Sequence, residues 1–392
     1  MKNSDKYRQE LSKYLQNKPE QIHLYWKGRV ALYSILKAAG IGSGDEVIIP
    51  GYTCVVVPNA IIYTGAIPIY VDIDPHSFNT TASEIEKAIS AKTKAIICQN
   101  TFGLSSDVEK IAEIAKNKNI LSIEDCTHGF GGKYNGQFNG TFCDASFFST
   151  QWNKPFSTGI GGFSFIKNEE LNLKVIELNN TLSKPSWIQK ASLFTQIFIR
   201  EKFLNERTYW TLLKLYRKLS QKNILLGSSS GTEISSIKMP EKYFMAMSNV
   251  QIKAGLKSIK KLPKLMEQRE INAKKISDFL ETQKLNHLYK NLFQNHSFLK
   301  YPLLVKDKEK VMTIAQKEKI PLGDWLNSPL HPLQDNFFAW QLDLNTIPKA
   351  TFAGKHIINV PLLSNNEKVI LFLQKIKDEI FSIDELNNYY NE

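Results

Sequence analysis

Cysteine is scarce in this chain of 392 residues, which carries four: Cys54, Cys98, Cys126 and Cys143. No two are spaced Cys-x-x-Cys, and none belongs to a His/Cys cluster. A disulfide framework or a zinc site needs one of those patterns, so free thiols in a reducing compartment are expected and a metal centre is not. Long uncharged apolar runs are also lacking. The nearest approach, residues 51–71, is interrupted by Pro58, Gly65 and Pro68 and divides into a helix and a strand instead of a membrane span. The opening residues, MKNSDKYRQELSKYLQNK, have no apolar stretch behind their charges and are expected to form a leading helix, not a signal peptide. Acids fall short of bases, 38 against 50, for a net charge of +12. That surplus suits anionic partners such as phosphorylated metabolites, nucleic acid or an acidic membrane face, and equally a merely soluble basic surface. With 42% hydrophobic and 22% charged residues the composition is that of a folded globule, long enough for two domains.

What the chain does contain is alternation. Residues 27–42 form an apolar helix pattern stopped by Gly40 and Gly42, and EVIIP (46–50) is a buried strand. A second helix is expected over 53–64 and a strand over 67–73. Thr81 and Glu84 have capping-box spacing and open another helix. Strands follow at 94–99, 120–125, 145–149 and 162–166, with a helix from Asp107 to Lys116. Near-continuous apolar strands between helices predict an α/β fold: a mostly parallel sheet covered on both faces. Ligands of such sheets collect at the carboxyl ends of the strands. The rhythm breaks over 175–235. Between Trp187 and Leu226 eight Lys and Arg stand against two acids, half the net charge of the chain. GSSSGTE (227–233) reads as its loop-like exit, and a long amphipathic helix bent at Pro263 is expected from 247 to about 280. The remainder mixes strands and helices. The expected division is a large domain over 1–174, a basic, aromatic-rich helical insertion over 175–235, and a linking helix with a small α+β domain over 236–392.

Three residues stand at or just beyond strand ends in the order acid, hydroxyl, lysine: Asp125, Ser149 and Lys154. Pyridoxal phosphate (PLP) needs those types. A lysine binds its aldehyde and shuttles a proton, an acid keeps its ring nitrogen protonated, and donors hold its phosphate. Ser149 and the amino end of the 29–40 helix are the phosphate candidates, with Gly28 allowing close backbone approach. Each residue alone is ordinary: an isolated Asp after a strand is usually a cap and a loop Lys a solvated charge. Order and spacing carry the reading.

The chain resembles the DegT/StrS-type sugar aminotransferases, fold-type I PLP enzymes, on four stretches: GRVALYSILKAAGIGSGDEVIIP, GAIPIYVDID, IEDCTHGFGG and FSTQWNKPFSTGIGG. MSNVQIKAGL and REINAKKISDFL resemble that family's helix into the small domain. The resemblance implies PLP as cofactor, Lys154 as its covalent anchor and proton shuttle, Asp125 on the ring nitrogen, His128 beside the cofactor, and Ser149, Gly28 and Arg29 at the phosphate. Arg29 stands where the family usually has Thr, and Cys54 where an aromatic usually stacks on the ring. Phe244 and Ala246 replace an Asn and Arg that commonly reach a neighbouring subunit. The implied activity is transfer of an amino group, commonly from glutamate, to a keto-sugar nucleotide for surface-polysaccharide biosynthesis, in a cytoplasmic homodimer without nucleic acid. The alternatives are a non-sugar or lipid-associated ketone as acceptor, and a PLP-binding regulatory or scaffold protein without turnover. His128 has a second reading as a core histidine, and His331 as a turn residue or a border of the substrate pocket. The basic segment 186–226 is either a packing hairpin or an amphipathic surface for peripheral membrane contact.

Overall fold

The computed structural model describes residues 1–392 apart from 206–207, 213, 216–230, 364 and 392. Part of the expected helical insertion, 216–222, and residues 227–230 of its exit lie outside the described residues.

Seven strands form the main sheet: β1 (Ile22–Tyr25), β2 (Glu46–Pro50), β3 (Ile67–Val71), β4 (Thr93–Gln99), β5 (Leu121–Asp125), β6 (Ala145–Ser149) and β7 (Gly162–Ile166). They lie in the order β1-β7-β6-β5-β4-β2-β3. The β2/β3, β2/β4, β4/β5 and β5/β6 pairs are parallel. β7 returns antiparallel between β6 and β1. This is the mostly parallel sheet, covered on both faces, that the alternation of strands and helices predicts.

The apolar runs are continuous because both faces of the sheet are buried. Val47 and Ile49 point into one core with Val30, Ile35 and Ile97, while Ile48, between them in sequence, joins Ile96, Val108 and Ile111 on the other side. Alternate side chains of a strand face opposite ways, so a two-faced sheet needs an apolar residue at every position. Register then places the chemistry. Gln99 pairs with Asp125, Asp125 with Phe147, and Ser149 with Gly162. The carboxyl ends of the parallel strands therefore deliver Gln99, Asp125 and Ser149 to one edge.

Among the helices α1 (Asn3–Leu15), α2 (Gly28–Ala38), α3 (Trp187–Phe203), α4 (Asn249–Ser258) and α5 (Leu262–Thr282), α2, α3 and α5 border that edge, and α1 packs on α4. α2 buries Val30, Ala31, Leu32, Ile35 and Leu36 against the sheet. A Cβ on Gly28 would lie 2.9 Å from the Phe148 carbonyl oxygen, and one on Gly162 only 2.2 Å from the Gly28 Cα. The two glycines let the start of α2 sit directly on the β6–β7 pair. α3 opens with a capping box between Ser186 and Gln189.

Three expectations change in detail. The 53–64 helix begins later, at Val56, because Thr53 and Cys54 form a short strand parallel to Leu330–His331. The Thr53 and Val55 amides donate to the carbonyls of Pro329 and His331. A partner far along the chain thus overrides a local helical signal. The long 247–280 helix is two helices separated by a 3-10 turn over 259–261, with Pro263 in the first turn of α5, where its missing N–H costs nothing. Residue 174, the expected end of the large domain, falls inside the helix Glu169–Asn179, whose Leu171 and Val175 are buried in the core beneath α2. Strand β1 was not expected: four residues, all buried, offer no alternation to detect.

Beyond α5, strands Tyr301–Leu304 and Ile357–Val360 pair antiparallel. Ile276 and Leu280 of α5 pack there with Val311, Val369 and Phe372. The Trp340 indole N–H donates to Asn59 Oδ1 at 2.6 Å, and the Tyr70 hydroxyl donates to the Trp340 carbonyl at 2.7 Å, tying this region to the large domain.

Candidate active site

A cleft of about 1090 Å³ opens at the carboxyl edge of the sheet, between the start of α2, the inner face of α3 and the small domain. Small-molecule pockets run roughly 300–1,000 Å³, so this one has room for a cofactor and a further ligand. Gly28, Arg29, Cys54, Asp125, His128, Ser149 and Lys154 all line it. The fold therefore gathers every candidate from the sequence into one space.

Asp125 ends β5 almost fully buried, and the Thr127 amide donates to its Oδ1 at 2.8 Å. Burial pushes its pKa up, with the Thr127 hydrogen bonds and the Lys154 charge working the other way. A buried carboxylate with one local donor is suited to an incoming cation. Lys154 sits in the loop after β6, 7% exposed. Burial brings its pKa down to about 8, against the pull of Asp125 and Cys54. Its ammonium lies 4.3 Å from the centre of the Trp325 ring, a cation–π contact.

His128 is buried, and its Nδ1 accepts the Phe102 amide at 3.1 Å. An accepting ring nitrogen carries no proton, so the ring is neutral. Burial, then the charges of Lys154 and Lys300, hold its pKa well below the usual histidine range. The ring lies parallel to Phe102 and edge-on to Trp325, 5.4 Å away. His331 also borders the cleft: it stacks on Trp325 at 5.1 Å and pairs through the backbone with Cys54. Cys54 is half-buried, its thiol held protonated by burial.

At the other end, Arg29 does not reach freely into the cleft. Its Nη1 meets Glu233 Oε1 at 2.6 Å, and Lys27 Nζ meets Oε2 of the same carboxylate at 3.2 Å. The Asn59 amide donates to the Glu233 backbone carbonyl at 2.8 Å, fixing the segment that bears it. Two cations on one acid leave a positive balance beside the amino end of α2, where free N–H groups already favour an anion. Ser149 also lines the cleft here, its Cβ 3.0 Å from the position a Gly28 Cβ would fill.

The donor set matches the parts of PLP. The α2 end, Ser149 and the Arg29–Lys27 pair could receive a phosphate, Asp125 a protonated ring nitrogen, and Lys154 an aldehyde. Spacing did not reveal Trp325, Glu233, Arg269 or Lys300, which also bound or support the cleft. They arrive from sites more than 100 residues from Asp125 with no local pattern to mark them.

Comparison with known proteins yields a family and relatives. The model of the DegT/DnrJ/EryC1/StrS aminotransferase family matches residues 2–194. The chain is 45% identical over 157 residues to the GDP-perosamine synthase of Escherichia coli O157:H7, an alignment covering 39% of this chain and 43% of that protein. It is 38% identical over 154 residues to the UDP-N-acetyl-3-dehydro-alpha-D-glucosamine 3-aminotransferase of Acidithiobacillus ferrooxidans, covering 39% and 42%. The chain thus spans less than half the length of these curated relatives. Over almost its whole length it shares the fold of NtdA from Bacillus subtilis, solved with bound cofactor PMP: TM-score 0.69, 20% identity, 97% of this chain and 78% of that one.

Proposed function

We propose, from the match of residues 2–194 to the DegT/DnrJ/EryC1/StrS aminotransferase family model, that the chain is a PLP-dependent aminotransferase acting on a keto-sugar nucleotide. The observation that carries this reading is the meeting of buried Asp125, deprotonatable Lys154 and the anion-ready end of α2 around one cleft. Bound PLP supplies an electron sink for the carbon that loses its proton and a carrier for the amino group.

The residues divide the remaining work. Asp125 holds a proton at the ring nitrogen by offering a carboxylate that burial leaves in need of a cation. Ser149, Gly28 and the α2 amides bind the phosphate, with Arg29 and Lys27 adding charge from behind. Lys154 takes a proton from the α-carbon of the amino donor and later returns one to the carbon of the acceptor. A lysine near pKa 8 suits both directions near neutral pH better than one at the ordinary 10.5. Neutral His128 and Trp325 wall the site and exclude water.

An acceptor rich in hydroxyls is supported by the Gln196 side-chain oxygen, which is buried on α3, borders the cleft and has no hydrogen-bond partner among the described residues. The names of the relatives point the same way, to surface polysaccharides and nucleotide sugars. A homodimer in the cytoplasm belongs to this reading. A panel of nucleotide-linked keto sugars with glutamate as donor tests it: amination of at least one is expected, and failure with all removes the sugar acceptor.

A second reading of the acceptor rests on α3. Trp187, Phe194, Phe198 and Phe203 are more than half exposed, while Ile199, and Leu204 and Leu212 beyond the end of α3, line the cleft. Such a helix, bearing Lys190, Arg200 and Lys202, suits an acidic membrane surface and a lipid-linked ketone. No helix of the described residues is long and apolar enough to cross a membrane.

A further inference from the structure

Away from Lys154, the cleft holds cations that the proposed chemistry has not used. Arg269 projects from α5 and is 6% exposed. Its Nη2 donates to the Pro155 carbonyl at 3.5 Å, and no carboxylate among the described residues pairs with it. Lys300 stands at the edge of strand Tyr301–Leu304 with no hydrogen bond or ion pair to its ammonium among the described residues. Arg200 of α3 borders the same space, held by the Trp152 carbonyl and Asn153 Oδ1 at 3.0 Å each. All three line the cleft with Lys154.

Burial of a charge without a partner is costly, and native chains keep such groups where something else completes them. Arg269 and Lys300 come from different elements yet act on each other: burial first, then the Arg269 and Lys154 charges, bring the Lys300 pKa down to about 8. The Asp324 charge opposes this without forming an ion pair with Lys300. Burial likewise brings Arg269 down to about 10. The mutual repulsion would be relieved by an anion placed between them. A planar guanidinium and a compact ammonium together fit a carboxylate or a phosphate.

We infer that Arg269 and Lys300 form a second anion subsite, separate from the Ser149–α2 end, that binds the carboxylate or phosphate group of the substrate. The inference rests on the aminotransferase reading, since it assigns the anion to a substrate of that reaction. It names the chemistry by which the cleft recognises either the amino donor, through a carboxylate, or a nucleotide-linked acceptor, through its diphosphate. Arg200 supports the same corner from the insertion, so that α3 closes over the charged end of the ligand.

The test is a binding titration on PLP-saturated protein, with glutamate and inorganic pyrophosphate as separate probes. Wild type, Arg269→Gln and Lys300→Met are compared by calorimetry and by the visible band of the bound cofactor. Each variant should weaken at least one probe about tenfold or more, the loss expected for one charge-assisted contact. Selective loss for glutamate assigns the subsite to the donor, and selective loss for pyrophosphate to the acceptor. The cofactor band should be unchanged in both variants. Wild-type affinity of both variants for both probes would overturn the inference, as would a wild type that binds neither. Absence of the cofactor band in wild type would instead defeat the aminotransferase reading. Lys300→Met guards against misfolding of the more buried Arg269→Gln.

Discussion

Replacing Glu233 by glutamine removes the negative charge from between buried Arg29 and half-buried Lys27. Glu233 is 2% exposed and meets Arg29 at 2.6 Å and Lys27 at 3.2 Å. Glutamine keeps the shape and one acceptor oxygen, and the backbone bond from Asn59 survives. What is lost is the compensation of two charges in a place water hardly reaches. Breaking a buried pair from one side costs about 3–5 kcal/mol, and the retained amide oxygen argues for the lower end, about 3 kcal/mol. Unfolding entropy of about 2.1 cal/mol/K per residue gives a chain of this length about 0.8 kcal/mol/K. The expected fall in apparent Tm is therefore about 4 °C, read by calorimetry or circular dichroism at one scan rate. The double variant Glu233→Gln/Arg29→Met should recover part of the loss, because it removes a cation left without its partner. An anion at the α2 end should also help, so PLP should raise the Tm of Glu233→Gln by more than that of wild type. A Tm within 1 °C of wild type, or no coupling in the double variant, would refute the view that Glu233 neutralises this corner.

Other outcomes follow from the same geometry. Gly28→Ala should weaken PLP more than pyridoxal without phosphate, because its Cβ meets the Phe148 carbonyl at 2.9 Å beside Ser149; equal loss for both, measured by spectral titration, would contradict a phosphate role for that end. In the cofactor-free chain, capture of PLP should accelerate about tenfold per pH unit below 8 and level off above, as the Lys154 amine loses its proton. The linked stability has a definite sign. Lys154 is depressed from 10.5 to about 8, so the folded state disfavours its charged form, a cost in full below pH 8 that is relieved as pH rises toward 10.5. Stopped-flow absorbance with wild type and Lys154→Ala checks the first statement, and Tm against pH for the same pair checks the second. Substituting Trp187, Phe194 and Phe198 by serine should abolish flotation with acidic liposomes while leaving the Tm unchanged within about 1 °C, since these side chains are 74%, 61% and 51% exposed; unaltered flotation, or no flotation of wild type, removes membrane contact through this face.

The legible part of this molecule is the part encoded locally. Apolar runs such as AIIC and SFF could be assigned to a two-faced sheet because a parallel strand needs no partner-specific code, and Asp125, Ser149 and Lys154 inherit their positions from strand ends. Thr53–Cys54 reads locally as helix and forms a strand instead, because its partner, Leu330–His331, lies some 280 residues away. Trp325, which lies over the Lys154 ammonium, follows no apolar period that would mark it. Arg269 belongs to an amphipathic helix where a basic residue normally meets solvent, and tertiary packing, with the Pro155 carbonyl beside it, buries it instead. Arg29 was expected to offer its guanidinium to a phosphate, and its attachment to Glu233 could not be foreseen because that acid arrives from the end of the insertion, 204 residues along the chain.

The central claim is that Asp125, Lys154 and the α2 end form a working PLP site. Adding PLP to the purified chain and following the visible spectrum tests it most directly. Wild type should develop a stable visible band that glutamate bleaches, Lys154→Ala should develop none, and Asp125→Asn should bind the cofactor yet bleach about 10²–10⁴-fold more slowly. A wild-type spectrum identical to that of Lys154→Ala at saturating PLP would contradict the account.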